Sequence, residues 1–107
     1  MSVTTNNNLK CTIALAVLEQ VMDPELQLSV VDLGLLYQLD FDDNPNRIFV
    51  RMTLTTRFCP MGQSIVDSVK RALESAFTGA EIIIDLCFEP AWTHDRISAS
   101  GKAFLNR

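Results

Sequence analysis

An α+β domain, a two-layer α/β sandwich in the order αββαβ, is the fold class that the residue pattern predicts, and three observations predict it. Hydrophobic residues recur at helical spacing over Leu9 to Val21 and again over Met61 to Phe77. Two alternating runs, Leu35 to Phe41 and Ile48 to Thr55, flank the polar turn Asp42-Asp43-Asn44-Pro45-Asn46, as in an antiparallel hairpin. A β-branched run, Glu81 to Phe88, follows the second helical stretch. Two amphipathic helices can cover one face of a small sheet, so the expectation is a three-stranded mixed sheet with both main helices on one side.

Taken in order, residues 1–8 are rich in Ser, Thr and Asn and read as a flexible tail, with one of Asn6, Asn7 and Asn8 capping the next helix. Residues 9–107 form one domain, the size a chain of 107 residues supports. In the first helix, Leu9, Ile13, Val17 and Val21 define the apolar stripe, and Cys11 lies off its main line. Asp23 precedes Pro24 and leaves the α region, which stops the helix near Met22. Asp23 to Gly34 reads as an ordered loop with one helical turn near Val30 to Leu33. In the hairpin, Leu35, Tyr37, Leu39 and Phe41 share a face opposite Leu36, Gln38 and Asp40. Ile48, Val50, Met52 and Leu54 point inward from the second strand. Ile65, Val66, Val69, Ala72, Leu73, Ala76 and Phe77 give the strongest helical stripe, which Gly79 ends. In the third strand, Ile82, Ile84, Leu86 and Phe88 share one face. Glu89 to Arg96 is a loop, and Ser98 to Arg107 forms a short last helix.

Composition narrows the function. The hydrophobic fraction of 48% and charged fraction of 21% are those of an ordinary soluble globular chain. Nine basic residues against thirteen acidic ones give a net charge of −4 with no basic block. That argues against nucleic acid as a partner, as does the lack of a Gly-x-x-Gly loop. No apolar run is long enough for a bilayer, and Met1 to Asn8 has no signal or transit pattern. Three widely spaced cysteines without a Cys-x-x-Cys pair favour reduced thiols and a cytoplasmic location.

The chemistry centres on Cys59, where a strand hands over to a helix. Pro60 suits a first helical position, which makes Cys59 the expected N-cap. Free N–H groups and the positive helix end favour a thiolate there, and the ordinary thiol pKa of about 8.5 would fall to about 7 or below. A small apolar cap is the alternative reading. The second strand feeds directly into Cys59, and the first strand, antiparallel to it, starts at that same end of the sheet. The third strand runs back to it. Asp32 to Gly34, the Cys59 loop and Pro90 to Asp95 should therefore converge, gathering Asp23, Glu25, Asp32, Thr55, Thr56, Trp92, Thr93, His94 and Asp95 around one thiol. Several have plainer roles available: Asp23 and Asp32 as turn caps, Thr55 and Thr56 as strand residues, Trp92 as a packing anchor, His94 as a solvated loop residue, and Cys87 as a structural thiol.

Four blocks in order carry a resemblance: Asp23-Pro24-Glu25; Val30-Val31-Asp32-Leu33-Gly34-Leu35-Leu36-Tyr37; Met52-Thr53-Leu54-Thr55-Thr56 with Cys59-Pro60; and Glu89-Pro90-Ala91-Trp92-Thr93 with Asp95-Arg96-Ile97-Ser98. In these the chain resembles the PaaD-like and SufT-like family of metal–sulfur cluster assembly proteins. The resemblance implies the iron–sulfur cluster assembly domain fold. It also implies maturation of iron–sulfur proteins, with Cys59 as the reactive cysteine and Asp32 as the acidic loop residue. Arg57-Phe58 departs from the small residues or proline common there. The cysteine-rich extension of true PaaD proteins is missing, which weakens a link to a phenylacetate-type ring oxygenase.

One thiol cannot hold a cluster alone, since such sites usually take four ligands. The expected function is therefore a non-enzymatic adaptor or transfer protein. Iron or a cluster would pass through it transiently, with ligands from a partner, and the assembly machinery and client apoproteins would dock on it. Self-association is expected as well, with Phe49 and Leu36 as contacts. The competing reading is a thiol enzyme with Cys59 as nucleophile, His94 as base and Asp95 or Asp32 as orienter.

Overall fold

The computed structural model describes residues 3–43, 46–55 and 62–106. Strand β1 (Thr4–Thr5) leads into helix α1 (Asn8–Leu18), and the hairpin β2 (Leu36–Asp43) and β3 (Asn46–Met52) follows. Helix α2 (Gly62–Ala76), strand β4 (Glu81–Leu86), a 3-10 turn (His94–Arg96) and helix α3 (Ala99–Leu105) complete the chain. The sheet has four strands in the order β1-β2-β3-β4, not the three expected. The added strand comes from the stretch read as a tail: Thr4 and Thr5 pair in parallel with Gln38 and Leu39. Asn6 fastens it, donating from its side chain to the Phe41 carbonyl and accepting from the Phe41 N–H. Asn7 is the N-cap of α1, and its side chain accepts from the Lys10 N–H at 3.0 Å. β3 and β4 are also parallel, so two βαβ units lie side by side across the central hairpin.

Helices α1 and α2 contact each other, and both contact the sheet, α1 at β2 and α2 at β4. The core between the layers holds Leu18, Leu39, Ile48, Val50, Met52, Val69 and Leu73, all buried. The stripe read for α2 is inward as expected at Ile65, Val69 and Leu73. Gly79 ends that segment at φ +84°, a conformation that suits glycine.

Two facings differ from expectation. In α1 the inward residues are Cys11, Ala14 and Leu18, while Leu9 is 73% exposed and Ile13 is also exposed. Apolar residues occur all round this helix, so the period alone admitted two stripes, and the one through Cys11, Ala14 and Leu18 is the buried one. In β2 the pairing shifts register between Leu36 and Gln38, leaving Tyr37 as an extra residue. One inserted residue reverses the alternation. Leu36 therefore joins Leu39 and Phe41 in the core at 2% exposure, so it is not the outward contact once expected. The helix also ends earlier, at Leu18, and β4 stops at Leu86.

Candidate functional site

The end of the sheet where β2 begins and β3 finishes is built from backbone first. The Thr53 N–H donates to the Leu35 carbonyl at 2.8 Å, and the Cys87 N–H donates to the Met52 carbonyl at 2.9 Å. The starts and finishes of β2, β3 and β4 thus meet, as the order of elements required. Thr55 leaves this end half-buried, and α2 resumes at Gly62. Thr56, Cys59 and its proposed N-cap geometry lie outside the described residues.

Around this end, the loop after α1 and the loop after β4 are tied together. Trp92 Nε1 donates to the Leu33 carbonyl at 2.6 Å. Arg96 Nε donates to the Gly34 carbonyl at 2.7 Å, and its guanidinium lies 4.2 Å from the centre of the Tyr37 ring. The Tyr37 hydroxyl donates to the Pro90 carbonyl at 2.7 Å, beside a cis Glu89–Pro90 peptide. Ser98 binds Asp32 twice, donating from its N–H to the carbonyl at 2.7 Å and from its hydroxyl to Oδ1 at 2.9 Å. The same hydroxyl caps α3 by accepting from the Gly101 N–H at 3.0 Å. Gly34 sits at φ +70°, and a Cβ there would come 2.4 Å from the Arg96 carbonyl oxygen. Only glycine lets the two loops approach this closely.

The residues singled out from sequence therefore fall into three groups. Asp32 and Trp92 belong to this brace, as do Arg96, Ser98 and Tyr37, to which the sequence reading gave no site role. A lone arginine in a short loop and a Ser-x-x-Gly helix start were the available signals for two of them. Asp23 is buried and accepts from the N–H groups of Glu25 and Leu26 at 2.8 and 3.2 Å, a turn cap before Pro24. Thr93, His94 and Asp95 are exposed on the 3-10 turn, with the His94 ring 5.2 Å from that of Trp92. Asp32 and His94 open onto different clefts. Asp32 lines one of about 440 Å³ with Gln27 and Phe104. His94 lines one of about 290 Å³ with Ile97 and Lys102. Cys11 is buried and lines a third cleft of about 420 Å³ between α1 and the N-terminal strand, while Cys87 is half-buried. Among the described residues, no group of three or more His, Cys, Asp or Glu is placed to hold a metal ion. No described helix is long and apolar enough to cross a membrane.

Comparison with known proteins adds a family. The family model described as "Iron-sulfur cluster assembly protein" matches residues 13–83. The Fe-S protein maturation auxiliary factor YitW of Bacillus subtilis (strain 168) is 40% identical over 88 residues, 82% of this chain and 85% of that protein. The Fe-S protein maturation auxiliary factor SufT of Staphylococcus aureus (strain USA300) is 39% identical over 85 residues, 79% of this chain and 96% of its own length. The solved structure of a domain of unknown function, DUF59, from Bacillus anthracis superposes with a TM-score of 0.83 at 36% identity, over 89% of this chain and 90% of that one.

Proposed function

The chain belongs to the iron–sulfur cluster assembly protein family, and from that premise we propose that it is a non-enzymatic maturation factor acting through Cys59. In this reading Cys59 engages iron or the sulfur of a cluster in transit as a thiolate, a soft ligand suited to that cargo. The assembly machinery hands the cargo over, and a client apoprotein receives it. One thiol per segment leaves the remaining ligands to the partner, which suits transfer rather than storage.

The observation that supports this most is the brace at the end of the sheet where β2 begins and β3 finishes. Leu33, Gly34 and Asp32 are held by Trp92, Arg96 and Ser98 through four hydrogen bonds of 2.6 to 2.9 Å. A loop that must present a thiol to two partners in turn gains from a rigid platform. The relatives' names speak of Fe-S protein maturation in general, which favours that role over service to one ring oxygenase. His94 packs on Trp92 and opens onto a different cleft from Asp32, which counts against the form of the thiol-enzyme reading in which Asp32 orients His94.

The test is a Cys59→Ser variant. Serine still caps a helix, so circular dichroism and melting should change little. Maturation of a cluster-dependent client enzyme in cells depending on this protein should fall to the level of the empty strain. Cys59 should also alkylate faster than Cys11 and Cys87 at neutral pH. A serine variant that restores client activity fully, with Cys59 alkylating no faster than Cys87, would overturn the reading.

A further inference from the structure

The two outer edges of the sheet are unequal. β1 is two residues long, whereas β4 runs six residues in unbroken parallel register with β3. Natural sheets guard an exposed edge by keeping it short, or with Lys, Pro or a bulge. β1 has the first protection. β4 reads Glu-Ile-Ile-Ile-Asp-Leu and has none of them. Its charges are turned to the sheet's own open face, where Glu81 meets Arg47 at 3.1 Å and Asp85 meets Arg51 at 3.3 Å.

Backbone direction settles which groups face out. The Cys87 N–H points to the Met52 carbonyl, and backbone groups alternate sides along a strand. Glu81, Ile83 and Asp85 therefore bond inward to β3, and Ile82, Ile84 and Leu86 present their N–H and C=O outward. Among the described residues, no strand pairs with that edge.

We infer that β4 is the docking edge for a second copy of this chain, which adds its own β4 antiparallel about a two-fold axis at Ile84. This register alone gives all three outward residues a partner: Ile82 opposite the partner's Leu86, Ile84 opposite the partner's Ile84, and the reverse of the first, each pair exchanging both hydrogen bonds. It covers Leu86, which is 40% exposed on the helix side of the sheet. On the open face it sets Ile83 against the partner's Asp85 and Glu81 against the partner's Cys87, so no acid faces an acid. Shifting the axis to Ile83 would oppose Glu81 and Asp85, a like-charge pair. The inference does not depend on the proposed function. It has one consequence for it: antiparallel strands send the two Met52 ends in opposite directions, so the dimer carries two separate sites.

Sedimentation equilibrium of the full chain under reducing conditions, over a concentration series, tests this. The expected result is a reversible monomer–dimer equilibrium. Leu86→Lys should raise its dissociation constant about tenfold or more while leaving circular dichroism unchanged. A register test uses Ile83→Cys and Asp85→Cys, each in a background with the native cysteines replaced. Mixed and oxidised, the two should form a disulfide-linked dimer faster than either alone, because facing residues of such a pair approach to about 4.5 Å between Cα atoms. A monomer at every concentration, a dimer indifferent to Leu86→Lys, or linkage no faster in the mixture would each overturn the proposal. So would a monomer that instead takes up an extended peptide on β4.

Discussion

At the end of the sheet where β2 begins, distant loops are joined by Trp92, Arg96 and Ser98 bonding to the carbonyls and carboxylate of Leu33, Gly34 and Asp32. At the opposite end, apart from the two Asn6 bonds to the Phe41 backbone, the joining is by surface ion pairs: Lys10 with Asp43 at 2.8 Å and Arg47 with Glu81 at 3.1 Å. The first kind satisfies backbone groups that half-buried loops would otherwise leave without partners, and each loss then exposes a desolvated carbonyl. The second kind joins groups already in water, where pairing gains little. Stability should therefore be concentrated at the end that carries the candidate site, and the hairpin end should tolerate change.

Breaking that contrast begins with Gly34→Ala. A Cβ at φ +70° against the Arg96 carbonyl forces the two loops apart. The expected loss is about 3 kcal/mol or more, read as a large fall in denaturation midpoint. A variant of wild-type stability would show that the loops do not bear on one another. Next comes Ser98→Ala, which removes both the bond to Asp32 and the cap of α3, for about 1–2 kcal/mol in urea unfolding. Trp92→Phe keeps a ring but abandons the Leu33 carbonyl, and about 1 kcal/mol is expected. The smallest effect should come at the far end. Lys10 holds the Asp43 carboxyl below its ordinary range through a hydrogen bond and then through charge. Its folded pKa is depressed, so its small stabilisation is present above the unfolded pKa and is lost as pH falls through the folded one. Lys10→Met should return the Asp43 titration, followed by NMR, to the ordinary range with almost no change in melting at neutral pH.

Much of this was legible in the sequence where a single period dominated. The line Ile65, Val69 and Leu73 of the α2 stripe, the inward set Ile48, Val50, Met52 and Leu54, and the Gly79 stop are found as read, while Ala76 of that stripe is exposed. The meeting of the Asp32 loop with Trp92 followed from strand direction alone. What was not legible had local causes. A two-residue strand has no period to detect, though Val3-Thr4-Thr5 is β-branched enough to have hinted at one. The bulge at Tyr37 leaves no composition signal, yet it brings Leu36 into the core beside Leu39 and Phe41, which are inward as read. α1 is apolar all round, so its inward face was decided by packing that the sequence does not spell out. The partners of Asp32, being serine and backbone, were invisible to a search for charged pairs.

The parallel pairing at both edges also dictates an order of events for a chain that must find this topology. Asn6 meets Phe41 35 positions away, and Arg47 meets Glu81 34 positions away, whereas Asp43 pairs with Asn46, its near neighbour in sequence. Local closures cost little entropy and distant ones must wait for them. The β2–β3 hairpin is therefore the early nucleus, and β1 and β4 are late additions to it. Substitutions along the hairpin should slow folding, and those in the outer strands should chiefly hasten unfolding.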